Sequence, residues 1–339
     1  GDLAWLESAQ LMERSAADLL RFFEASPEAV VCDLHPDYAS TRLAQRLSRA
    51  WDVPLLRVQH HHAHVAAVVA EHNLTGPVLG LAWDGAGLGS DGALWGGEAL
   101  LVERASSRRL AHLRPFRLPG GERAQREPRR ALLALLFELD ATRACEQAGA
   151  LFEPAEATLL LAMLEQGLHA PSTTSIGRLF DAVAALLGLR ARATFEGQAA
   201  MECEFAATRA NANVSEPYPM PLLGEAPWVA DWGPMLECML EDRRHHVASE
   251  SIARRFHETL AALAEQIAVR ACVGQVVLSG GCFQNALLTT RVVQRLEARG
   301  FSVHTPVRYP ANDGAIALGQ AWVAAQQWKE GGDVSRCAG

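Results

Sequence analysis

The sequence predicts an α/β protein. Short β-branched runs alternate with helical patterns along the chain, a glycine pair closes one strand-like run just before a helix, and no internal repeat, low-complexity tract or heptad run breaks the alternation. In order, residues 3–26 carry apolar side chains at three- and four-residue spacing and predict a helix, and "AVVCDL" predicts a short strand. "TRLAQRLSRAW" predicts a second helix capped by Thr41, and "PLLRVQ" a second strand. The histidine-rich segment that follows reads as a helix. "PVLGLAWD" and "ALWGGEALLVE" read as strands joined by the glycine-rich loop "GAGLGSDG". Residues 104–130 hold nine arginines and read as a strand followed by an irregular surface segment. From Arg130 to about Arg209 the pattern is mostly helical, residues 216–228 are the clearest loop, and residues 247–271 form a long helix. "QVVLSGG" is a further strand, "FQNALL" starts a helix, and the chain closes with the strand "FSVHTP", the loop "YPANDG" and the helix "AIALGQAWVAAQQW".

Composition limits the function classes. A chain of 339 residues with 49% hydrophobic content is globular and long enough for two lobes with their own cores. A formal net charge of -8 argues against retention on nucleic acid or anionic membrane by bulk charge. The seven cysteines (Cys32, Cys145, Cys203, Cys238, Cys272, Cys282, Cys337) are scattered and contain no Cys-x-x-Cys pair, the pattern of reduced thiols in a cytoplasmic protein without a zinc ribbon or disulfide framework. No run of basic, apolar and small residues at the start reads as a secretory signal, and charge interrupts the longest apolar stretches.

The segment "LLRVQHHHAHVAAVVAEH" (55–72) places four histidines within five positions. His60 and His64, at i,i+4, share one helix face and can share a metal ion; His61 and His64, at i,i+3, can do so too, and spacing alone does not choose. The ordinary alternative is a helix N-terminus whose histidines bond backbone and water. Three other segments carry similar double readings. "WDGAGLGSDG" places Asp84 at a strand end before glycines able to approach a phosphate, though Asp-Gly turns are commonly plain hairpins. "LSGGCFQN" sets Gly280 and Gly281 between strand and helix, as a tight turn or an anion site. "YPANDGAIALGQA" presents Asp313 before a helix, where an N-cap is sufficient explanation.

The ordered set "HHHAH", "WDGAGLGSDG", "GRLFDAVAALLG", "FEGQAA", "SGGCFQN" and "NDGAIALGQA" resembles the carbamoyltransferase domain of the HypF family of [NiFe]-hydrogenase maturation proteins, and the resemblance runs through essentially the whole chain. "VQHHHAH", "CDLHPDY", "DGAGLGSDGALWGGE" and "PGGERAQREPRR" look like that family's own signatures, whereas the related TsaD-like proteins typically have Ser-Gly-Gly where this chain has Asp84-Gly85. The resemblance implies an actin-like ATPase (ASKHA), TsaD-like fold of two α/β lobes with nucleotide and metal in the cleft: residues 1–103 plus 312–339 as lobe one, and 104–311 as the nucleotide-binding lobe two. It implies His60, His64, Asp84 and Asp313 as ligands of a divalent metal (Fe2+, with Mn2+ or Mg2+ as alternatives). It also implies Gly85, Gly87, Asp181, Glu196, Gly197, Gly280, Gly281 and Asn285 around the ATP or AMP moiety of carbamoyl adenylate.

The same resemblance implies a carbamoyltransferase that moves the carbamoyl group from carbamoyl adenylate to the C-terminal cysteine thiol of HypE, with a YrdC-like domain or protein as the source of the adenylate. The acylphosphatase-like, zinc-motif and YrdC-like parts of full-length members are absent from this sequence, which starts at "GDL". A fragment or short form is therefore expected, one that transfers a supplied adenylate. The chain's own cysteines need not act as nucleophile, and Cys282 reads as a small buried filler. His35, Asp37 and Tyr38 follow a strand end where α/β active-site loops gather, and the arginines between Arg104 and Arg130 read as an anion dock or a solvated face. Three other readings remain: an O-carbamoyltransferase on a small-molecule hydroxyl, a TsaD-like tRNA threonylcarbamoyltransferase, disfavoured by the acidic balance, and a non-catalytic nucleotide-binding docking module, disfavoured by the four-ligand set.

Overall fold

The computed structural model describes residues 6–210 and 216–336; residues 3–5 of the expected first helix and Cys337 lie outside that range. The β-branched runs Val30–Asp33 and Leu55–Val58 pair in parallel, Val30 opposite Leu55 and Asp33 opposite Val58. The helix Ala39–Trp51 crosses between them. It starts after Tyr38 in extended conformation, and Thr41 is not its cap but a fully buried residue of its first turn. The hydroxyl faces the core because the helix begins before the first residue of the apolar pattern.

The helix His60–His72 leaves the second strand at once. Gln59 caps it, its side-chain oxygen accepting the His62 N–H at 2.9 Å, and Asn73 ends it in the left-handed region at φ 52°. Every residue from His60 to Val69 is buried. Such a helix needs cover on all sides. One side is a mixed nine-stranded sheet, whose main path runs Ser302–His304, Gln275–Ser279, Val78–Leu88, Leu94–Glu103, Ser106–Leu113, Trp228–Ala230 and Leu222–Leu223. Strand alternation divides the apolar side chains between two faces. Val78 and Ala82 pack with Val65, Val68 and Val69 of the histidine helix, while Leu79, Leu81 and Trp83 join the larger core with Leu133, Leu179 and Phe256. Those three come from the helices Pro128–Leu139, Ile176–Leu186 and Ser249–Ala271 on the opposite face.

The other cover is the last helix, Ile316–Arg336, which crosses the histidine helix so closely that a Cβ at Gly319 would overlap the Ala63 carbonyl oxygen.

The glycine-rich segment after Trp83 is strand rather than loop. Val78–Leu88 pairs antiparallel with Leu94–Glu103, but the register shifts: Trp83 faces Gly97 and Gly87 faces Trp95, so Asp84, Gly85 and Ala86 stand opposite Gly96 alone. This bulge turns Asp84 out of the ladder. Only the tip, Gly89 to Gly92, is a turn, closed by Gly92 N–H to Gly89 O at 3.1 Å. The arginine-rich stretch is less solvated than its composition reads. Arg129 and Arg130 are buried on Glu127 and Glu156, and Arg109 donates to Glu98 at 2.6 Å. A lobe boundary at 103/104 falls in the short connection between two paired strands of the central sheet, and remains a proposal about how the chain divides.

Gly319→Ala should destabilise the fold by about 1–3 kcal/mol through overpacking against the histidine helix. Urea denaturation would show a lower midpoint at unchanged slope.

Candidate metal and nucleotide site

Four side chains expected to share a metal meet at one point. His60 and His64 come from the first turns of the histidine helix, Asp84 from the bulge, and Asp313 from the turn before the last helix. One donor atom of each lies within 4.8 Å of all the others. His60 Nε2 stands 3.3 Å from Asp84 Oδ2 and 3.6 Å from Asp313 Oδ1; His64 Nε2 stands 3.5 and 3.4 Å from the same oxygens. His61 is not part of the cluster; its Nδ1 is 3.0 Å from the Gln59 amide nitrogen. Of the two pairs that spacing allows, it is His60 and His64 that stand together with both carboxylates.

The residues present fit a divalent cation. His64 is fully buried, yet neither ring nitrogen has a hydrogen-bond partner, an unmet demand of the kind a ligand satisfies. Burial disfavours charge on His60, but the neighbouring carboxylates of Asp313, Asp33 and Asp84 outweigh it and hold the ring well above the ordinary histidine range; burial likewise disfavours charge on His64, and the nearby Asp313 and Asp84 carboxylates raise it all the same. Asp84, for which burial alone favours the neutral acid, is instead held well below the usual carboxylate range by His60 and His64. The carboxylate charge is balanced here by protons on the imidazoles, protons that a divalent cation bound to the same ring nitrogens would replace.

Beside the cluster opens a cavity of about 430 Å3, lined by Asp84, Gly85, Asp181, Glu196, Gly197, Gly281 and Asp313 among others. The structure thus brings most of the expected nucleotide residues to one space. Asp181 is buried, with Arg178 Nη1 at 2.8 Å in an ion pair whose angle does not make a hydrogen bond. Burial pushes its carboxyl up to about 6, opposed by Arg178 and reinforced by Glu196. Gly281 donates its N–H to Asp84 Oδ1 at 2.9 Å, so the glycine pair also fixes the bulge. Three expected residues do not line that cavity, and of these Gly280 is packed against the Trp83 backbone, whose carbonyl oxygen a Cβ would overlap. Gly87 lies behind the cluster, where a Cβ would come 2.5 Å from His60 Cδ2; it makes room for the ring. Asn285 caps the helix Ala286–Ala298 by accepting the Leu288 N–H at 2.8 Å, and its amide nitrogen is 2.9 Å from His257 Nε2; it lines a neighbouring cavity of about 320 Å3.

Sequence reasoning missed three residues. Asp33, at the end of the first strand, meets His60 Nδ1 at 2.8 Å and orients the ring; its signal was its place two residues before His35. Arg178, three residues before Asp181 on one helix face, lines both the cavity of about 430 Å3 and a second of about 340 Å3. The Ser175 hydroxyl lies 2.9 and 2.6 Å from the Asp84 and Gly85 carbonyls and ties that helix to the bulge. His35, Asp37 and Tyr38 line the second cavity, with the His35 and Tyr38 rings stacked at 4.3 Å. Cys282 lines the cavity of about 430 Å3 rather than filling the core; burial, then the Asp84 charge, push its thiol well up, away from the thiolate. Most arginines of the 104–130 run are tied to internal carboxylates, as Arg114 to Asp231 at 3.0 Å and Arg117 to Glu138 at 2.8 Å, and make no open anion dock.

This fold and cleft are those of a Kae1-like domain. The family model "HypF Kae1-like domain" matches residues 1–71, and "Carbamoyltransferase, Kae1-like Domain, second subdomain" matches residues 80–320. The chain is 42% identical over 351 residues to "Carbamoyltransferase HypF2" of Cupriavidus necator, covering 96% of this chain and 43% of that protein. It is 41% identical over 335 residues to "Carbamoyltransferase HypF homolog" of the same organism, covering 96% and 85%. Among solved structures, full-length HypF in the phosphate- and nucleotide-bound form superposes with a TM-score of 0.87 at 36% identity over 96% of this chain and 42% of that one. HypF of T. kodakarensis gives 0.88 at 30% identity over 97% and 45%. The chain belongs to the HypF carbamoyltransferase family. It spans less than half the length of HypF2 and of both solved HypF structures. The expected TsaD-like α/β fold is the fold observed, and no described helix is long and apolar enough to cross a membrane.

Asp33→Ala should leave the fold intact and lower metal affinity about 10–100-fold, because the His60 ring loses its orienting partner. Competition against a chelator would measure the change.

Proposed function

We propose that this chain carries out carbamoyl transfer, moving the carbamoyl group of carbamoyl adenylate onto the C-terminal cysteine thiol of HypE in the cytoplasm, with the adenylate supplied by a YrdC-like domain or protein. The observation that carries the reading is the meeting of two imidazoles and two carboxylates at the edge of a nucleotide-sized cavity. Its membership of the HypF family gives the reaction class.

In the reaction the thiol sulfur bonds to the carbamoyl carbon, the bond from that carbon to the phosphate oxygen breaks, AMP leaves, and the thiol proton passes to solvent. His60, His64, Asp84 and Asp313 would hold the metal, for which nitrogen and carboxylate donors favour Fe2+, with Mn2+ or Mg2+ as alternatives. When bound, that ion supplies a Lewis acid to offset charge developing on phosphate and carbamoyl oxygens. The protein's part is placement. Asp181 and Glu196 accept hydrogen bonds from ribose hydroxyls, while Gly85, Gly197 and Gly281 let backbone approach the nucleotide. Asp33 and the Gly281 N–H hold His60 and Asp84 in position.

Incubating the metal-loaded chain with carbamoyl adenylate and a HypE protein, then weighing the acceptor, should show a carbamoyl mass gain that His64→Ala abolishes. An acceptor of unchanged mass would refute the reading.

The raised Asp181 carboxyl adds a proton-linked test. Its pKa lies above that of the unfolded chain, so its contribution to stability is present at acid pH and is lost as pH rises through about 6. Ribose donors require the carboxylate, so AMP binding at pH 6 should release roughly half a proton. Calorimetry in buffers of different ionisation enthalpy would register that release, and Asp181→Asn should remove it.

A further inference from the structure

We propose that Glu71 is a positioning residue that sets Asp313 in the metal site from the far end of the histidine helix. The inference rests on the reading that the four-residue cluster holds a divalent cation.

Asp313 is the least anchored of the four. His60, His64 and Asp84 are buried on a helix and a strand, whereas the Asp313 side chain is 71% exposed and opens a short 3-10 turn after the loop 305–312. What fixes that loop decides where the carboxylate stands. His60, His64 and Glu71 lie at i, i+4 and i+11, which a 3.6-residue repeat places on one helix face about 10 Å apart from His64 to Glu71.

The loop runs along this face and is held at its start. The Glu71 side chain is 4% exposed and accepts the Val307 N–H at 3.2 Å and the Arg308 N–H at 2.5 Å, with Arg308 Nε at 3.9 Å. His72 Nε2 lies 2.8 Å from the Thr305 carbonyl and donates to it. Further along, the Gly280 N–H holds the Ala311 carbonyl at 2.9 Å, and Asn312 Oδ1 accepts the Gly314 N–H at 3.1 Å. One helix therefore supplies two ligands at its start and, two turns on, the clasp for the loop that supplies the fourth. Val307 is 75% exposed, so water can satisfy its N–H once the carboxylate is gone. Losing Glu71 should then cost loop order and metal affinity more than fold stability.

Co2+ titration followed by visible absorption tests the proposal on the wild-type chain, Glu71→Ala, Glu71→Gln, Asp313→Ala and the double variant Glu71→Ala/Asp313→Ala. Glu71→Ala should weaken Co2+ binding about 10–100-fold, and Glu71→Gln should keep most of the affinity because its amide oxygen still accepts. With Asp313 already removed, Glu71→Ala should change the affinity less than about twofold, the non-additivity expected of residues acting through one another. Wild-type affinity in Glu71→Ala, or the same loss in both backgrounds, would overturn the proposal. Hydrogen exchange on the metal-free chain decides separately. Glu71→Ala should speed exchange from Val307 through Ala315, and a rise confined to Val307 and Arg308 would overturn the inference. A wild-type chain that takes up no Co2+ would refute the metal reading instead, and the metal-free exchange would still show whether Glu71 governs Asp313.

Discussion

A helix that opens with four histidines and stays buried from His60 to Val69 is the constraint on which the architecture depends. Imidazoles are bulky and polar, so burying them requires both space and hydrogen-bond partners. Space comes from glycines on its neighbours. Gly80 leaves room for Val65, Gly87 for the His60 ring, and Gly319 for the Ala63 carbonyl. Partners come from a strand end, the bulge and the helix cap: Asp33 and Asp84 for His60, and Gln59 for His61. The last helix packs here although more than 240 residues of chain, on the order of twice a typical domain core, separate it from its partner. The site and the hydrophobic packing thus depend on the same contacts, and a change that loosens one loosens the other.

The bulge in the central strand performs the complementary task. A regular antiparallel ladder would leave Asp84 on one face with its backbone fully paired. The register shift sets Asp84, Gly85 and Ala86 opposite Gly96 alone, and the freed carbonyls of Asp84 and Gly85 are met by the Ser175 hydroxyl. Gly281 N–H then fixes one carboxylate oxygen, leaving the other toward the histidines. Three separate elements spend hydrogen bonds to keep one carboxylate aimed. That investment is characteristic of a preorganised site, where misplacement by about 1 Å is costly.

Much of this was legible in the sequence, and the misses have physical reasons. Alternating strand and helix patterns predict the α/β class because they depend on local periodicity, whereas histidine spacing allows two pairs and the family resemblance, not periodicity, points to His60 and His64. The bulge was invisible because it depends on register against a partner strand: "DGAGLG" reads as loop until Trp95 and Gly97 are known to face it. Asp33 was passed over because its partner, His60, is brought near by the parallel pairing of Asp33 with Val58. Arg129 and Arg130 looked solvated because a charge run carries no record of the carboxylates, Glu127 and Glu156, that neutralise it inside. Asn285 stood in a motif expected at the nucleotide, yet its oxygen caps a helix, a role that "QNALL" also permits.

The division of the site between three fixed side chains and one on a loop follows from the topology. Parallel strands Ser302–His304, Gln275–Ser279 and Val78–Leu88 end on the same side of the sheet, the side on which α/β sites gather. The chain leaving Ser302–His304 has to cross those ends to reach the last helix, and the crossing delivers Asp313 beside Asp84. Residues 305–312 form neither strand nor helix of their own. Their order therefore comes from neighbours: the Gly280 N–H holds the Ala311 carbonyl near the end of the crossing, and Glu71 and His72 of the histidine helix hold residues 305–308 at its start.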